Sequence, residues 1–551
     1  MKRWRIIIVV LLFFLGVAAI ISRLLYIQIV QHGYYKALAK GQESSYAQMI
    51  GERGRIFLNG GEPLALNVKE KYVSLAIDKL EDKEAAIKSI SQITKMSEKE
   101  ISDAIKDSKS EVELKDGLTD EEYNELKKLN ITGLEVGERL IRRYPQETMA
   151  SQVVGFVGGE GAGQYGLEGY YENILKSKDS FGTSNFFSGS LNGSDIYLTI
   201  DFNIQSIIEK ALEEAESNLN IEGGQIIVMD PTTGKILALA NYPNFNPNEY
   251  SKEKNFSVFQ NSAVQKLFEP GSIFKPMTMA AAIDQGKITP DTTYVDKGSV
   301  SVGKWIIYNF GKRSYGEKSM TEVLENSINT GAVFAERQLG NDLFLAYVRK
   351  FGFFGPTGID LQEEVFSQNT ELKKGYEVNY VTAAFGQGIE TTPVQMLRAY
   401  SAIANSGRMV KPYIVEKIVS DGKATNVSSQ VDKEQVISSK TAAEVTQMMV
   451  SVIENGFAKK AKIPGYYIAG KTGTAQISYS AINVNKSGYS DKTWQSFVGF
   501  APAYSPRFMI LIKLDNPAAS TAEYSAVPIF KIIAKDILDY LEVPPDYEEK
   551  L

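Results

Sequence analysis

Ser272 and Lys275 stand three residues apart in Glu269-Pro270-Gly271-Ser272-Ile273-Phe274-Lys275-Pro276. A hydroxyl and an amine at that spacing can act as nucleophile and base if the segment is helical, because residues three apart share a helix face. Pro270-Gly271 breaks the chain ahead of the pair, and Met277 to Ile283 is a good helix-forming stretch. Ser272 is therefore expected at or near a helix N-terminus, with Pro276 tolerated in the first turn. The helix dipole and burial both disfavour an ammonium there, which would leave Lys275 neutral and able to take a proton. The Ser272 amide could stabilise an oxyanion. An N-cap serine followed by a surface lysine is the ordinary alternative for this stretch alone. Ser251/Lys254, Ser301/Lys304 and Ser420/Lys423 repeat the spacing without that setting. Composition narrows the chemistry. The 551 residues hold one histidine, His32, and no cysteine. That leaves a Ser-His-Asp triad without its imidazole, excludes thiol catalysis, and removes the usual ligands of a zinc site. No metal or cofactor is expected. A net charge of −6 argues against a nucleic-acid partner.

Two further motifs follow in order, Ser327-Ile328-Asn329 and Lys471-Thr472-Gly473-Thr474. The ordered set Ser-x-x-Lys, Ser-x-Asn, Lys-Thr-Gly resembles the active-site set of penicillin-binding proteins and serine β-lactamases. Asp230-Pro231 through Ala238, Phe385-Gly386-Gln387-Gly388, Thr392-Pro393-Val394-Gln395 and Ala404-Asn405-Ser406-Gly407 are similar to further landmarks of that family. Upstream, Glu52-Arg53-Gly54-Arg55-Ile56, Arg143-Tyr144-Pro145 and Gly166-Leu167-Glu168-Gly169-Tyr170 resemble the non-catalytic domain of class B penicillin-binding proteins. Leu58-Asn59-Gly60-Gly61 lacks the usual Asp-Arg before Asn-Gly.

The resemblance implies a peptidoglycan D,D-transpeptidase that β-lactams inhibit covalently. It implies Ser272 as nucleophile and Lys275 as base. Ser327 and Lys471 would form a proton relay, and Asn329 would orient Lys275 and the substrate amide. Thr472 and Thr474 would bind the substrate carboxylate, and Gly473 would let the strand lie close to substrate. The oxyanion hole would be the amides of Ser272 and Thr474. The substrate would be a stem peptide ending in D-Ala-D-Ala, and the implied partner a polytopic glycosyltransferase of the shape, elongation, division and sporulation (SEDS) type. A membrane-anchored β-lactamase and a β-lactam sensor share the motif set and stand as alternatives.

These residues need elements to hold them. Lys2, Arg3 and Arg5 precede an uncharged run from Ile6 to Ser22. That run spans about 25 Å as a helix and reads as a signal anchor over 6–28, with a cytoplasmic tail at 1–5 and the rest outside. A pedestal domain is expected over 29–190, with helices near 82–95, 97–107 and 119–129 and strands at 72–77 and 134–142. Capping boxes at Ser97/Glu100 and Thr119/Glu122 start two of those helices. The transpeptidase domain is expected over 191–545. It should open with a strand at 195–201 and a helix over 203–217, followed by a hairpin of 224–230 and 235–241. The stretch 272–460 reads as mainly helical, and late strands are expected at 466–477, 494–500 and 507–514. Strands at both ends of a helical middle predict an α+β fold with one antiparallel sheet flanked by helices.

Overall fold

The computed structural model describes residues 51–107, 110–159, 161–176, 192–427 and 433–548, with Phe13 and Leu15–Val17. The expected anchor therefore lies outside the described residues apart from those few positions. None of the described helices is long and apolar enough to cross a membrane.

In the N-terminal region, β1 (Ile56–Phe57) turns back into β2 (Pro63–Ala76), which pairs antiparallel with β3 (Glu111–Lys115) and β4 (Leu134–Arg143). The strand expected at 72–77 is thus the second half of a longer one. Pro63 opens it, at a position where a missing N–H is tolerated. Helices α1 (Lys83–Thr94), α2 (Glu98–Asp107) and α3 (Asp120–Lys128) fall within two residues of expectation. Both capping boxes form. The Glu100 amide donates to Ser97 Oγ at 3.2 Å while the Ser97 amide donates to Glu100, and Thr119 and Glu122 do the same. Ile90, Ile101, Ile105, Tyr123 and Leu126 close on Val73 and Leu75 as a small separate core.

The upstream motifs meet at one carboxylate. Glu168 is fully buried and accepts from Arg53 Nε and Arg142 Nε, both at 2.7 Å, and from Tyr144 OH at 3.2 Å. A buried carboxylate persists only when paired and hydrogen-bonded, so residues more than a hundred positions apart are locked into one corner.

The C-terminal region runs β5 (Asp195–Leu198), α4 (Phe202–Leu219), β6 (Gly223–Met229), β7 (Ile236–Tyr242), α5 (Lys275–Asp284), β8 (Ser299–Val302) and β9 (Trp305–Tyr308). It continues with α6 (Asn329–Leu339), α7 (Pro393–Ala404), β10 (Val415–Ser420), α8 (Ser439–Glu454), β11 (Ala469–Ser478), β12 (Tyr489–Ala501), β13 (Phe508–Asp515) and α9 (Ala526–Tyr540). Five strands form one antiparallel sheet in the order β11-β12-β13-β6-β7. Every residue of β6 is buried, because helices cover both faces. Helices α4 and α9 pack together on one face, and α7 and α8 cover the other, with α5 packed against α8 and α6. Asp201 caps α4 by accepting from the amides of Asn203 and Ile204. Buried Gln205 then exchanges two 2.9 Å bonds with the backbone of Leu239 on the edge strand β7.

Two expectations change here. The opening strand is shorter than 195–201. It pairs parallel with β1 and antiparallel with β10, so one sheet crosses the expected boundary at 190/191. The stretch 272–460 also carries the β8–β9 hairpin and β10, whose strands of four to six residues are too short for periodicity to separate them from helix or loop.

Candidate active site

Ser272 lies in a 3₁₀ turn, Gly271–Phe274, that runs directly into α5, so Lys275 is the first α-helical residue and Pro276 sits in the first turn. The turn is fixed from outside. Gly271 has φ +58° and its amide donates to Gly386 O at 2.9 Å. Gly386 has φ +82°, and a Cβ there would lie 2.1 Å from Gly271 O, so only glycine fits. From α7, the buried Tyr400 hydroxyl donates to Ile273 O at 2.7 Å. Ser272 itself is half-buried, and its hydroxyl is bonded to no described residue.

Lys275 is fully buried. Its Nζ bonds to Ser327 O at 2.5 Å, Asn329 Oδ1 at 2.9 Å and Ser327 Oγ at 3.2 Å. The expected partner Ser272 is thus adjacent in the chain but unbonded, while the Ser-x-Asn motif holds the amine. Ser327 adopts φ +52°, an uncommon left-handed conformation for serine, and from it both its carbonyl and its hydroxyl reach Lys275. On the far side of Ser327, Lys471 Nζ donates to the same hydroxyl at 3.0 Å and to Thr472 O at 3.1 Å. Two amines therefore converge on one hydroxyl.

Proton counting gives the arrangement a direction. Burial first, and then the charge of Lys471, hold the Lys275 amine well below the ordinary 10.5. Burial lowers Lys471 to about 7. A neutral Lys275 has two N–H bonds and a lone pair. Ser327 O and Asn329 Oδ1 can only accept, so they take both N–H bonds. The amide orientation of Asn329 follows from its other end, where Nδ2 donates to Tyr308 O at 3.0 Å. The Lys275 lone pair is left for a hydroxyl proton. Lys471 occupies a lone pair of Ser327 Oγ, so the Ser327 proton can point to Lys275.

The third motif lies on β11, an edge strand of the sheet. Strand alternation puts Lys471 and Gly473 on the same face, toward the Ser272 turn. A Cβ on Gly473 would lie 2.5 Å from Ser496 Oγ and 3.0 Å from Ile273 Cγ2 and Pro270 O. A side chain here would meet both the neighbouring strand and the Ser272 turn, a packing reason for glycine that stands beside the expected close approach to substrate. Thr472 is buried, with Oγ1 3.4 Å from Lys471 Nζ. Thr474 Oγ1 accepts the Ala522 amide at 3.2 Å, which leaves its own proton to donate elsewhere. Among the described residues no group of His, Asp and Glu could hold a metal ion.

Residues 224–539 match the family model for the penicillin binding protein transpeptidase domain, which is more than half of the chain. The chain belongs to this family. Residues 48–186 match the penicillin-binding protein dimerisation domain. The chain is 32% identical to stage V sporulation protein D of Bacillus subtilis, across 97% of this chain and 86% of that one. It is 30% identical to the peptidoglycan D,D-transpeptidase FtsI of Buchnera aphidicola, across 98% and 96%. Among solved structures it resembles penicillin-binding protein 3 of Mycobacterium tuberculosis in complex with aztreonam, with a TM-score of 0.72 and 27% identity over 91% of this chain and 98% of that one.

In this penicillin-binding protein all eight residues singled out from the sequence fall on three adjoining elements: the Ser272 turn with α5, the Ser327 turn with α6, and β11. Sequence reasoning missed the residues that brace them. Tyr400 and Ala522 act through single hydrogen bonds that leave no spacing signal. Glu269, three residues before Ser272, is pushed up to about 7 by burial, against hydrogen bonds from Tyr489 OH at 3.0 Å and from the Gly388 backbone. Phe385-Gly386-Gln387-Gly388 was visible only as a family landmark; its glycines turn out to seat Gly271 and Glu269.

Proposed function

We propose that this penicillin-binding protein is a peptidoglycan D,D-transpeptidase working through a Ser272 acyl-enzyme. The observation that carries the reading is the convergence of two buried amines, Lys275 and Lys471, on the Ser327 hydroxyl, with Lys275 one turn along the chain from Ser272. Ser272 Oγ attacks the carbonyl of the penultimate D-Ala as the Ser327 proton turns from Lys275 toward the substrate amide nitrogen, and the Ser272 proton passes to the freed Lys275 lone pair. The amides of Ser272 and Thr474 hold the oxyanion. As the C–N bond breaks, Ser327 hands a proton to the leaving D-Ala amine and is resupplied from Lys471. Thr472, Thr474 and the Lys471 charge hold the terminal carboxylate. An amine of a second stem peptide then attacks the acyl carbon, its proton returns through the same groups, and Ser272 is regenerated as the cross-link forms. A β-lactam acylates Ser272 and stays, because its leaving group remains tethered.

The cationic start and apolar run at Ile6–Ser22 support a single-pass anchor with the catalytic region outside the membrane. We extend the proposal to a polytopic SEDS-type glycosyltransferase as membrane partner. The boundaries we propose are a tail at 1–5, an anchor at 6–28, a pedestal at 29–190 and a transpeptidase domain at 191–545.

The test is covalent labelling by a fluorescent penicillin, read by intact mass. One adduct is expected on the parent, none on Ser272→Ala, and a folded but unlabelled protein for Lys275→Ala. An equal adduct on Ser272→Ala refutes the assignment. Rapid steady-state turnover of a chromogenic cephalosporin would indicate a β-lactamase instead.

A further inference from the structure

The chain is acidic overall, at −6, yet the segment from Lys297 to Lys318 reverses the sign. Lys297, Lys304, Lys312, Arg313 and Lys318 stand there against the single carboxylate of Glu317. Among the described residues only Lys318 of these is ion-paired, with Glu322. Within the segment β8 and β9 pair antiparallel, with Ser299 opposite Tyr308 and Ser301 opposite Ile306, and all four are exposed. Trp305, Ile306, Tyr308 and Phe310 are 55%, 54%, 44% and 65% exposed. One exposed apolar side chain is ordinary, but a cluster marks a binding face. Lys304 lies 5.3 Å from the Trp305 ring centroid and Lys312 5.1 Å from that of Tyr308.

This hairpin is fastened to the active site. Tyr308 O accepts from Asn329 Nδ2 at 3.0 Å. Buried Asp296, just before β8, accepts from Thr330 Oγ1 at 2.6 Å, Asn309 Nδ2 at 2.9 Å and the Tyr315 amide at 2.8 Å. Asn309 Oδ1 in turn accepts the Thr330 amide at 3.1 Å. Tyr294 stacks on Phe334 of α6 at 5.3 Å. The aromatic and cationic face is therefore rigidly continuous with the first turn of α6, which holds Lys275.

We propose that the β8–β9 hairpin is a docking arm for the polymeric glycan strand whose stem peptides are the substrate, a reading that rests on the proposed function. Flat aromatic faces stack on sugar rings, and the unpaired ammonium groups complement the carboxylates that end uncross-linked stem peptides. Attachment to Asn329 favours the substrate polymer over a lipid surface as occupant.

The test uses the full chain in detergent, with Trp305→Ala/Ile306→Ser and Lys304→Glu/Lys312→Glu as variants of exposed residues. Three readouts are compared: co-sedimentation with uncross-linked glycan polymer, co-sedimentation with phosphatidylglycerol vesicles, and the rate constant of penicillin acylation. The parent should pellet with the polymer. Both variants should lose at least tenfold of that binding while acylating within twofold of the parent. A parent that does not pellet overturns the arm even if it acylates normally. A parent that pellets but takes no label instead overturns the transpeptidase reading. Acylation that falls in step with polymer binding makes the hairpin a mere support for Asn329 and overturns the arm. Selective loss of vesicle binding assigns the face to a membrane and overturns it too.

Discussion

Replacing Lys471 with methionine should stabilise the fold at neutral pH while disabling the site. The Lys471 amine is 1% exposed and falls from 10.5 to about 7 on burial. A base whose folded value is depressed destabilises the folded state below about pH 7, and the cost fades as pH rises toward 10.5, because only the unfolded chain holds the proton in that window. The gap corresponds to about 4 kcal/mol at pH 7 and about 1.5 kcal/mol at pH 9.5. Methionine is close to lysine in volume and carries no charge. It gives up the bonds to Ser327 Oγ and Thr472 O, each worth about 1 kcal/mol. Lys471→Met should therefore be more stable than the parent by about 2 kcal/mol at pH 7, or about 4 °C in Tm for a domain of this size. At pH 9.5 the advantage should vanish or reverse slightly, a swing of about 6 °C between the two conditions. Penicillin acylation should fall by about 100-fold or more, as expected for loss of a proton-transfer group. The assay is paired thermal melts of parent and variant at both pH values and matched ionic strength, with acylation kinetics alongside. A Tm difference independent of pH, or a variant less stable at pH 7, would refute the claim that Lys471 is held against its own solvation energy.

Two further outcomes follow from the packing around Ser272. Gly473→Ala places a Cβ against Ser496 Oγ, Ile273 Cγ2 and Pro270 O. It should move β11 away from the nucleophile turn and slow acylation by about 100-fold, with crystal coordinates showing the strand displaced; unchanged kinetics would mean the turn yields freely. Glu269, raised by burial to about 7, contributes stability that is present below its unfolded value of 4.5 and lost as pH rises through about 7. Glu269→Gln can still accept from Tyr489. It should gain about 2.5 kcal/mol over the parent between pH 5 and 8.5, measured by urea unfolding at both pH values; parallel pH profiles would count against a half-buried, protonated Glu269.

The outline of the fold could be read from local pattern because its signals are local. The capping boxes at Ser97 and Thr119 each involve residues three apart, and the helices they start lie where spacing put them. The β6–β7 hairpin likewise announces itself through Pro231-Thr232-Thr233-Gly234 between two apolar runs. Strand partners are another matter. Nothing in Asp195–Leu198 indicates that it pairs with Ile56 on one side and Ile418 on the other, because backbone pairing is indifferent to side-chain type and to sequence distance. The β8–β9 hairpin escaped notice for a different reason: each strand is four residues, and Trp305-Ile306-Ile307-Tyr308 is an unbroken apolar run that periodicity cannot assign to strand or helix.

The site divides along the same line. By itself the sequence determined which chemistry was open: if a chain with one histidine and no cysteine does acyl chemistry, a lysine must serve as the base, and Ser272, Lys275, Ser327, Asn329 and Lys471 stood out as candidates by type, order and resemblance. It could not say that Ser327 joins Asn329 in holding Lys275 while Ser272 makes no bond to it, or that a side chain on Gly473 would meet Ser496 and the Ser272 turn. Those facts, and the lowered amines that make the chemistry feasible, depend on burial and on distances between residues 50 to 200 positions apart. Desolvation is a property of the surrounding volume, and only the assembled tertiary structure supplies it.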